Sequence, residues 1–189
     1  MKAKHSNLIL MILIYMLYIK LVPGYHELFP TLPVYPNNYE DLKLVKQEIS
    51  KRTPSDMKMF YLTNKTVVNA FLPYINENRD NLLNISKSHN DMISMIKHLI
   101  NRRRPYQIDK SIQPLNISTA ETPSYPAGHA YQALLVSSYL SKKYPEKKEL
   151  FDQLARQCDN CRVRAGLHYK SDGEFSRKLF YLLNPNEYK

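Results

Sequence analysis

Residues 161–172 read CRVRAGLHYKSD, and in them Arg162, His168 and Asp172 fall into the spacing R-x5-H-x3-D. A histidine and an aspartate four residues apart meet on one face of a helix. A carboxylate bonded to one imidazole nitrogen fixes the tautomer and makes the other nitrogen a better base or nucleophile. The arginine adds a planar fork of donors suited to a phosphate-like oxyanion. Two stretches upstream supply more cations and an acid. In KHLINRRRP, residues 97–105, Lys97 and Arg104 stand seven apart, two helical turns, and Pro105 follows at once. Pro126-Ala127-Gly128-His129 precedes an apolar helical run. A glycine at a helix start lets backbone N–H groups approach an anion, and the helix dipole favours negative charge there. His129 at that terminus is placed to protonate a leaving oxygen.

Singly, each stretch has an ordinary structural reading: a helical ion pair, a solvated basic helix end, a capping turn. Jointly they do not. R-x5-H-x3-D is expected about once in a hundred chains of this composition and K-x6-R-P about once in twenty.

The elements that position these residues read as helices. The chain has 189 residues, 43% hydrophobic, with only 4 Gly and a formal charge of +10. That suits one domain with a real core and favours anionic partners. Lys2 and Lys4 precede an unbroken apolar run, Leu8 to Ile19, which marks residues 1–24 as a signal peptide or an uncleaved signal anchor. The rest is then exported: secreted, periplasmic or lumenal, with residues 8–19 as the route of any membrane attachment. Residues 25–37 carry three prolines and read as an extended arm, leaving residues 38–189 as the folded domain.

Helical spacing runs from Asn38 to about Arg52, then again after Thr53 as N-cap and Pro54, with Met57, Phe60 and Tyr61 on one face. It returns from Asn64 to Asn78, where Pro73 must kink or split the helix. The clearest helix is Ser88 to Arg104, striped by Met92, Met95, Ile96, Leu99 and Ile100 and stopped by Pro105. Residues 106–125 form a polar loop. Further helices are expected from Gly128 or His129 to Lys143, from Pro145 to about Asn160, and from about Leu167 to Leu183 with Gly173 as a weak point. No strand alternation appears, so the fold class is all-α.

Cys158 and Cys161 form one C-x-x-C, half a zinc site with no second half. A local disulfide and two free thiols both remain open. Arg102 and Arg103 read as a solvated rim beside Arg104, and His98 points about 100° from Lys97 around the helix. The fifteen tyrosines show no stacking register for nucleic acid, and none is expected as a partner. Acceptor sequences for N-glycosylation begin at Asn64, Asn84 and Asn116 and carry no argument alone.

At these residues the chain resembles the superfamily of type 2 phosphatidic acid phosphatases, bacterial class A acid phosphatases and vanadium haloperoxidases. Its signature is K-x6-R-P, then P-S-G-H, then S-R-x5-H-x3-D, here Lys97 to Pro105, Pro126 to His129 and Cys161 to Asp172. The resemblance implies a helical bundle and a phosphomonoesterase needing neither metal nor cofactor, with vanadate binding as a phosphate mimic. His168 would attack phosphorus, Asp172 orient it and His129 protonate the leaving oxygen. Lys97, Arg104, Gly128 and Arg162 would hold the phosphoryl oxygens. The single apolar stretch places the chain nearest the soluble, exported members acting on small phosphate esters. A membrane-anchored lipid phosphatase and a phosphate-binding pseudoenzyme are the alternatives. Two positions depart from the signature: Ala127 and Cys161 stand where the family has serine.

Overall fold

The structure, a computed structural model, describes residues 35–185. The expected signal segment and all but the end of the extended arm lie outside the described residues. Among those described there is no strand. Seven helices, joined by short helical turns, run in the order α1 (Asn38–Ser50), α2 (Pro54–Thr63), α3 (Arg79–Lys87), α4 (Asn90–Ile100), α5 (Gly128–Lys143), α6 (Lys148–Arg164) and α7 (Lys170–Leu183).

Local chemistry sets most of the boundaries. Asn37 caps α1 through Tyr39 N–H. Thr53 and Asp56 close a capping box around Pro54 at the start of α2, as its sequence predicts. Asn78 accepts from the N–H groups of Asp80 and Asn81 and starts α3, a helix the periodicity did not announce. The helical pattern expected over residues 64–78 resolves into two 3₁₀ turns, Val67–Ala70 and Leu72–Tyr74. Pro73 removes the N–H that a continuous α-helix needs, while Val67, Val68 and Phe71 keep their place in the core.

α6 runs through the middle of the bundle, packing on α5, α2 and α1, and α5 packs in turn on α7 and α3. The largest core lies between α3, α5, α6 and the 3₁₀ turns, around Phe71, Leu82, Val136, Leu140 and Phe151. Each of these side chains stabilises the fold by about 1.5–3 kcal/mol on burial. Two smaller clusters flank the 161–169 segment. Leu42, Val45, Val163 and Tyr169 lie on one side of it, and Phe60, Cys161, Ala165 and Leu167 on the other. Packing on both sides is what holds the segment in one conformation.

Two helix faces differ from expectation. Of the three residues expected to line α2, only Phe60 is buried; Met57 and Tyr61 are 38% and 54% exposed. On α4 the residues turned inward are Ile93 and Lys97, while the apolar stripe from Met92 to Ile100 is half-buried. Cys158 and Cys161 are free thiols, both buried on α6. No described helix is long and apolar enough to cross a membrane.

Candidate active site

α7 begins at Lys170, so His168 lies just before the helix and Tyr169 is its N-cap. Asp172 is the third residue of the helix. Its Oδ2 accepts from Tyr169 N–H at 3.0 Å and from His168 Nδ1 at 3.0 Å. The pair therefore forms across a helix start, not along a helix face. Burial pushes the fully enclosed Asp172 carboxyl up. The hydrogen bond from His168 and the charge of Arg102 outweigh that and hold it below its ordinary range.

The other nitrogen of His168, Nε2, lies 3.2 Å from Arg104 Nη1. A guanidinium only donates, so Nε2 is the acceptor and the proton sits on Nδ1, facing Asp172. Burial, then the Arg104 charge, pushes His168 down to about 3. The ring is neutral, oriented, and carries its lone pair on the side of the cations.

Those cations come from three elements. α4 ends at Ile100 because Asn101 takes a left-handed conformation (φ 54°, ψ 40°), stopping the helix four residues before Arg104. Arg104 is extended (φ −75°, ψ 158°), as a residue before proline prefers. Lys97 and Arg104 thus do not project from one helix face as expected; they converge from a helix end and the strand-like segment after it. Lys97 Nζ donates to the carbonyls of Pro123 (2.6 Å) and Ser124 (3.4 Å). Burial, then Arg104, lowers it from 10.5 to about 7. Arg104 also donates to the Thr122 and Leu167 carbonyls at 2.9 Å each.

Arg162, in the last turn of α6, donates to Asn64 Oδ1 at 3.0 Å and to the Thr63 carbonyl at 2.8 Å. Its guanidinium lies 4.6 Å over the Phe60 ring, and its Nε is buried without a hydrogen-bond partner. Burial lowers it to about 10.

Gly128 and His129 open α5. A Cβ at Gly128 would meet Lys97 Cε at 3.8 Å, an ordinary contact, so space does not demand glycine there. The position contributes a backbone N–H in the first helical turn, where such groups have no intrahelical partner. His129 Nε2 donates to the Asn64 carbonyl at 3.3 Å, which leaves Nδ1 for chemistry. Burial, then the charge of Arg162, pushes His129 well below its usual range.

The seven residues singled out by sequence come together where the starts of α5 and α7 meet the ends of α4 and α6. Lys97 and Arg162 are 6% and 1% exposed, and both bond to oxygens that carry no charge. Two residues of this site escaped the sequence. Arg102, expected in a solvated rim, is fully buried and bonds Asp172. The buried–exposed–buried alternation of Arg102, Arg103 and Arg104 is that of an extended chain, and Pro105 was the available signal that the helix does not reach that far. Asn64, which the sequence marks only as a glycan acceptor, holds Arg162 with its side chain and His129 with its carbonyl. Nothing in its local sequence announces that. Among the described residues no three His, Cys, Asp or Glu side chains cluster as metal ligands.

No protein-family model and no curated protein matches the sequence. Among solved structures, the chain is similar to a transmembrane PAP2 type phosphatidylglycerolphosphate phosphatase from Bacillus subtilis. The TM-score is 0.53 at 21% identity, covering 96% of this chain and 94% of that one. The likeness is one of fold: this all-α bundle is the fold of a PAP2-type phosphatase, the type 2 group whose motifs the sequence resembles.

Proposed function

We propose that the chain is a phosphatase of this type, an exported, metal-independent hydrolase of phosphate monoesters. One observation carries the reading: buried Lys97 and Arg162, bonded only to uncharged oxygens, gather in one site with Arg104 and a neutral His168 whose Nε2 lone pair faces the Arg104 guanidinium. Buried cations without counter-charge are costly, and a phosphoryl dianion relieves that cost.

The phosphoryl oxygens accept from Lys97, Arg104, Arg162 and the N–H groups at the start of α5. Arg104 shifts its donor from His168 Nε2 to an oxygen of the substrate, which frees the lone pair. His168 Nε2 attacks phosphorus, the bond to the ester oxygen breaks, and His129 gives that oxygen a proton. Asp172 keeps the Nδ1 proton in place and balances the charge that develops on the ring. Water then attacks the phosphohistidine, giving its proton to His129. The N–P bond breaks and phosphate leaves. His129 acts as an acid only when protonated; the substrate dianion raises its proton affinity against the burial that lowers it. Both small and lipid phosphate esters present this headgroup. Export rests on the N-terminal apolar run of residues 8–19 with its flanking lysines.

The test is hydrolysis of a chromogenic phosphomonoester between about pH 5 and 7, where histidines titrate, with chelator present. Turnover is expected to survive chelator, to be inhibited by vanadate, to leave acid-labile phosphate on His168, and to vanish in His168→Ala. A requirement for divalent metal, or turnover in His168→Ala, refutes the mechanism. Vanadate binding without turnover would instead make the chain a phosphate-binding pseudoenzyme, the reading that Ala127 favours.

A further inference from the structure

We propose that Arg102 is a positioning residue for the His168–Asp172 pair: with Asp41 it fixes the Asp172 carboxylate in the orientation that holds the Nδ1 proton of His168. The proposal rests on the phosphatase reading above and adds a residue that the signature does not contain.

Arg102 is fully buried and uses its whole guanidinium. Nη1 donates to Asp172 Oδ1 at 2.7 Å and to Ser171 Oγ at 2.7 Å. Nη2 donates to Asp41 Oδ2 at 2.8 Å, and Nε to Asn38 Oδ1 at 3.0 Å. The flat faces are occupied as well, with the Tyr169 ring centroid at 3.7 Å and that of Tyr35 at 4.5 Å. Ser171 Oγ donates onward to Asp41 Oδ2, so α1 and the first turn of α7 are tied through one side chain.

The consequence for His168 follows from the division of labour on Asp172. Oδ2 serves His168 and the Tyr169 N–H; Oδ1 serves Arg102. Two bonds on opposite oxygens fix the plane of the carboxylate, and a cation against Oδ1 keeps it ionised in a site that excludes water. A protonated Asp172 would accept poorly from Nδ1–H. The imidazole could then carry its proton on Nε2, where it is no nucleophile. Other titratable groups face Asp172 as well: His168 and Tyr169 from its own turn, Lys97 from α4, Tyr125 ahead of α5 and Asp159 from α6, with Asp41 of α1 across Arg102. Lys97 is the cation among them, and Arg102, not Lys97, is in direct contact with the carboxylate.

Arg102→Gln keeps donors without charge, and Arg102→Lys keeps charge without the fork. In the full chain, both are expected to lose about ten- to a hundredfold in kcat with KM nearly unchanged, since neither touches substrate. Only Arg102→Gln should move the acid limb of kcat to higher pH, because Asp172 then takes a proton more readily. With inorganic phosphate bound, which draws Arg104 off Nε2, the ¹⁵N spectrum of His168 should show the Nδ1–H tautomer in the wild type and a mixture in Arg102→Gln. Lower thermal stability with wild-type kcat, acid limb and tautomer would reduce Arg102 to a structural role and overturn the proposal. If Arg102→Gln does not fold, wild-type kcat in Arg102→Lys overturns it equally. The tautomer needs no turnover to be read. An inactive wild type with an Arg102-dependent tautomer would therefore refute the phosphatase reading while sparing this one.

Discussion

Ala127 is where one hydroxyl separates this site from the signature it resembles. The residue is buried, its N–H donates to the Asp172 carbonyl at 3.2 Å, and its backbone (φ −75°, ψ 105°) is that of an N-cap whose side chain makes no capping bond. A serine hydroxyl there has two uses. Capping α5 would stabilise the protein by about 1 kcal/mol. A bond to a charged phosphoryl oxygen is worth about 1.5–3 kcal/mol, at least tenfold in kcat/KM. Ala127→Ser is therefore expected to raise kcat/KM by about tenfold or more. Thermal melting checks which use prevails: a higher Tm with unchanged kcat/KM would mean the hydroxyl caps the helix and never meets substrate. Residues at this scale were legible when they carried a motif. His168, Asp172, Lys97, Arg104, Arg162, Gly128 and His129 stand at spacings that single them out in the sequence, and the structure brings them together. Arg102 and Asn64 were not legible, because their partners, Asp41 from α1 and His129 from α5, lie far off in sequence and the pairing exists only after folding.

At the scale of elements the sequence located helices better than it bounded them. α1, α2 and α5 begin where caps, Pro54 or Gly128 place them. The C-terminal end of α4 and the start of α7 differ from expectation, and both sit at the site. In each case a tertiary demand overrides helical periodicity: the left-handed Asn101 turns the chain toward Thr122 and Leu167, and Asp172 captures Tyr169 N–H to begin a new helix. Gly173 shows the same override in its sharpest form. On helix propensity alone Gly173→Ala should stabilise α7 by about 1 kcal/mol. In the structure a Cβ there would lie 2.0 Å from Asp159 Oδ2 and 2.5 Å from its Cγ. Asp159 is buried and pinned by Arg177 at 2.7 Å, so it has little room to withdraw. The expected sign is reversed: Gly173→Ala destabilises by about 1–3 kcal/mol, as overpacking does, and lowers kcat through the adjoining Asp172. Chemical denaturation checks it, and a stabilised variant would show that α6 and α7 do not close on this glycine.

For the whole molecule, the buried site should be readable as a dependence of stability on pH. Lys97 falls from 10.5 to about 7 on folding and His168 from 6.5 to about 3, with His129 shifted in the same direction. For each, the unfolded chain binds the proton at a higher pH than the folded one, so stability rises with pH through the interval between the two values. Lowering the pH from 10.5 to 7 costs stability through Lys97, and lowering it from 6.5 towards 3 costs stability through His168. Asp159 runs the other way, since burial raises it from 3.8 to about 6, and it offsets part of the acid loss in that narrower window. The net expectation is a Tm that declines steadily as the pH is lowered from 8 to 5. Inorganic phosphate or vanadate should counter the decline. A bound anion favours the charged forms of Lys97 and the histidines, so its stabilising effect should grow as the pH falls. Melting curves across that range, with and without phosphate, decide the matter. His168→Ala should flatten the acid part of the curve while Lys97 still responds above neutral pH. A phosphate effect that was constant with pH would mean that the anion binds on the basic surface of this +10 chain and not among the buried cations.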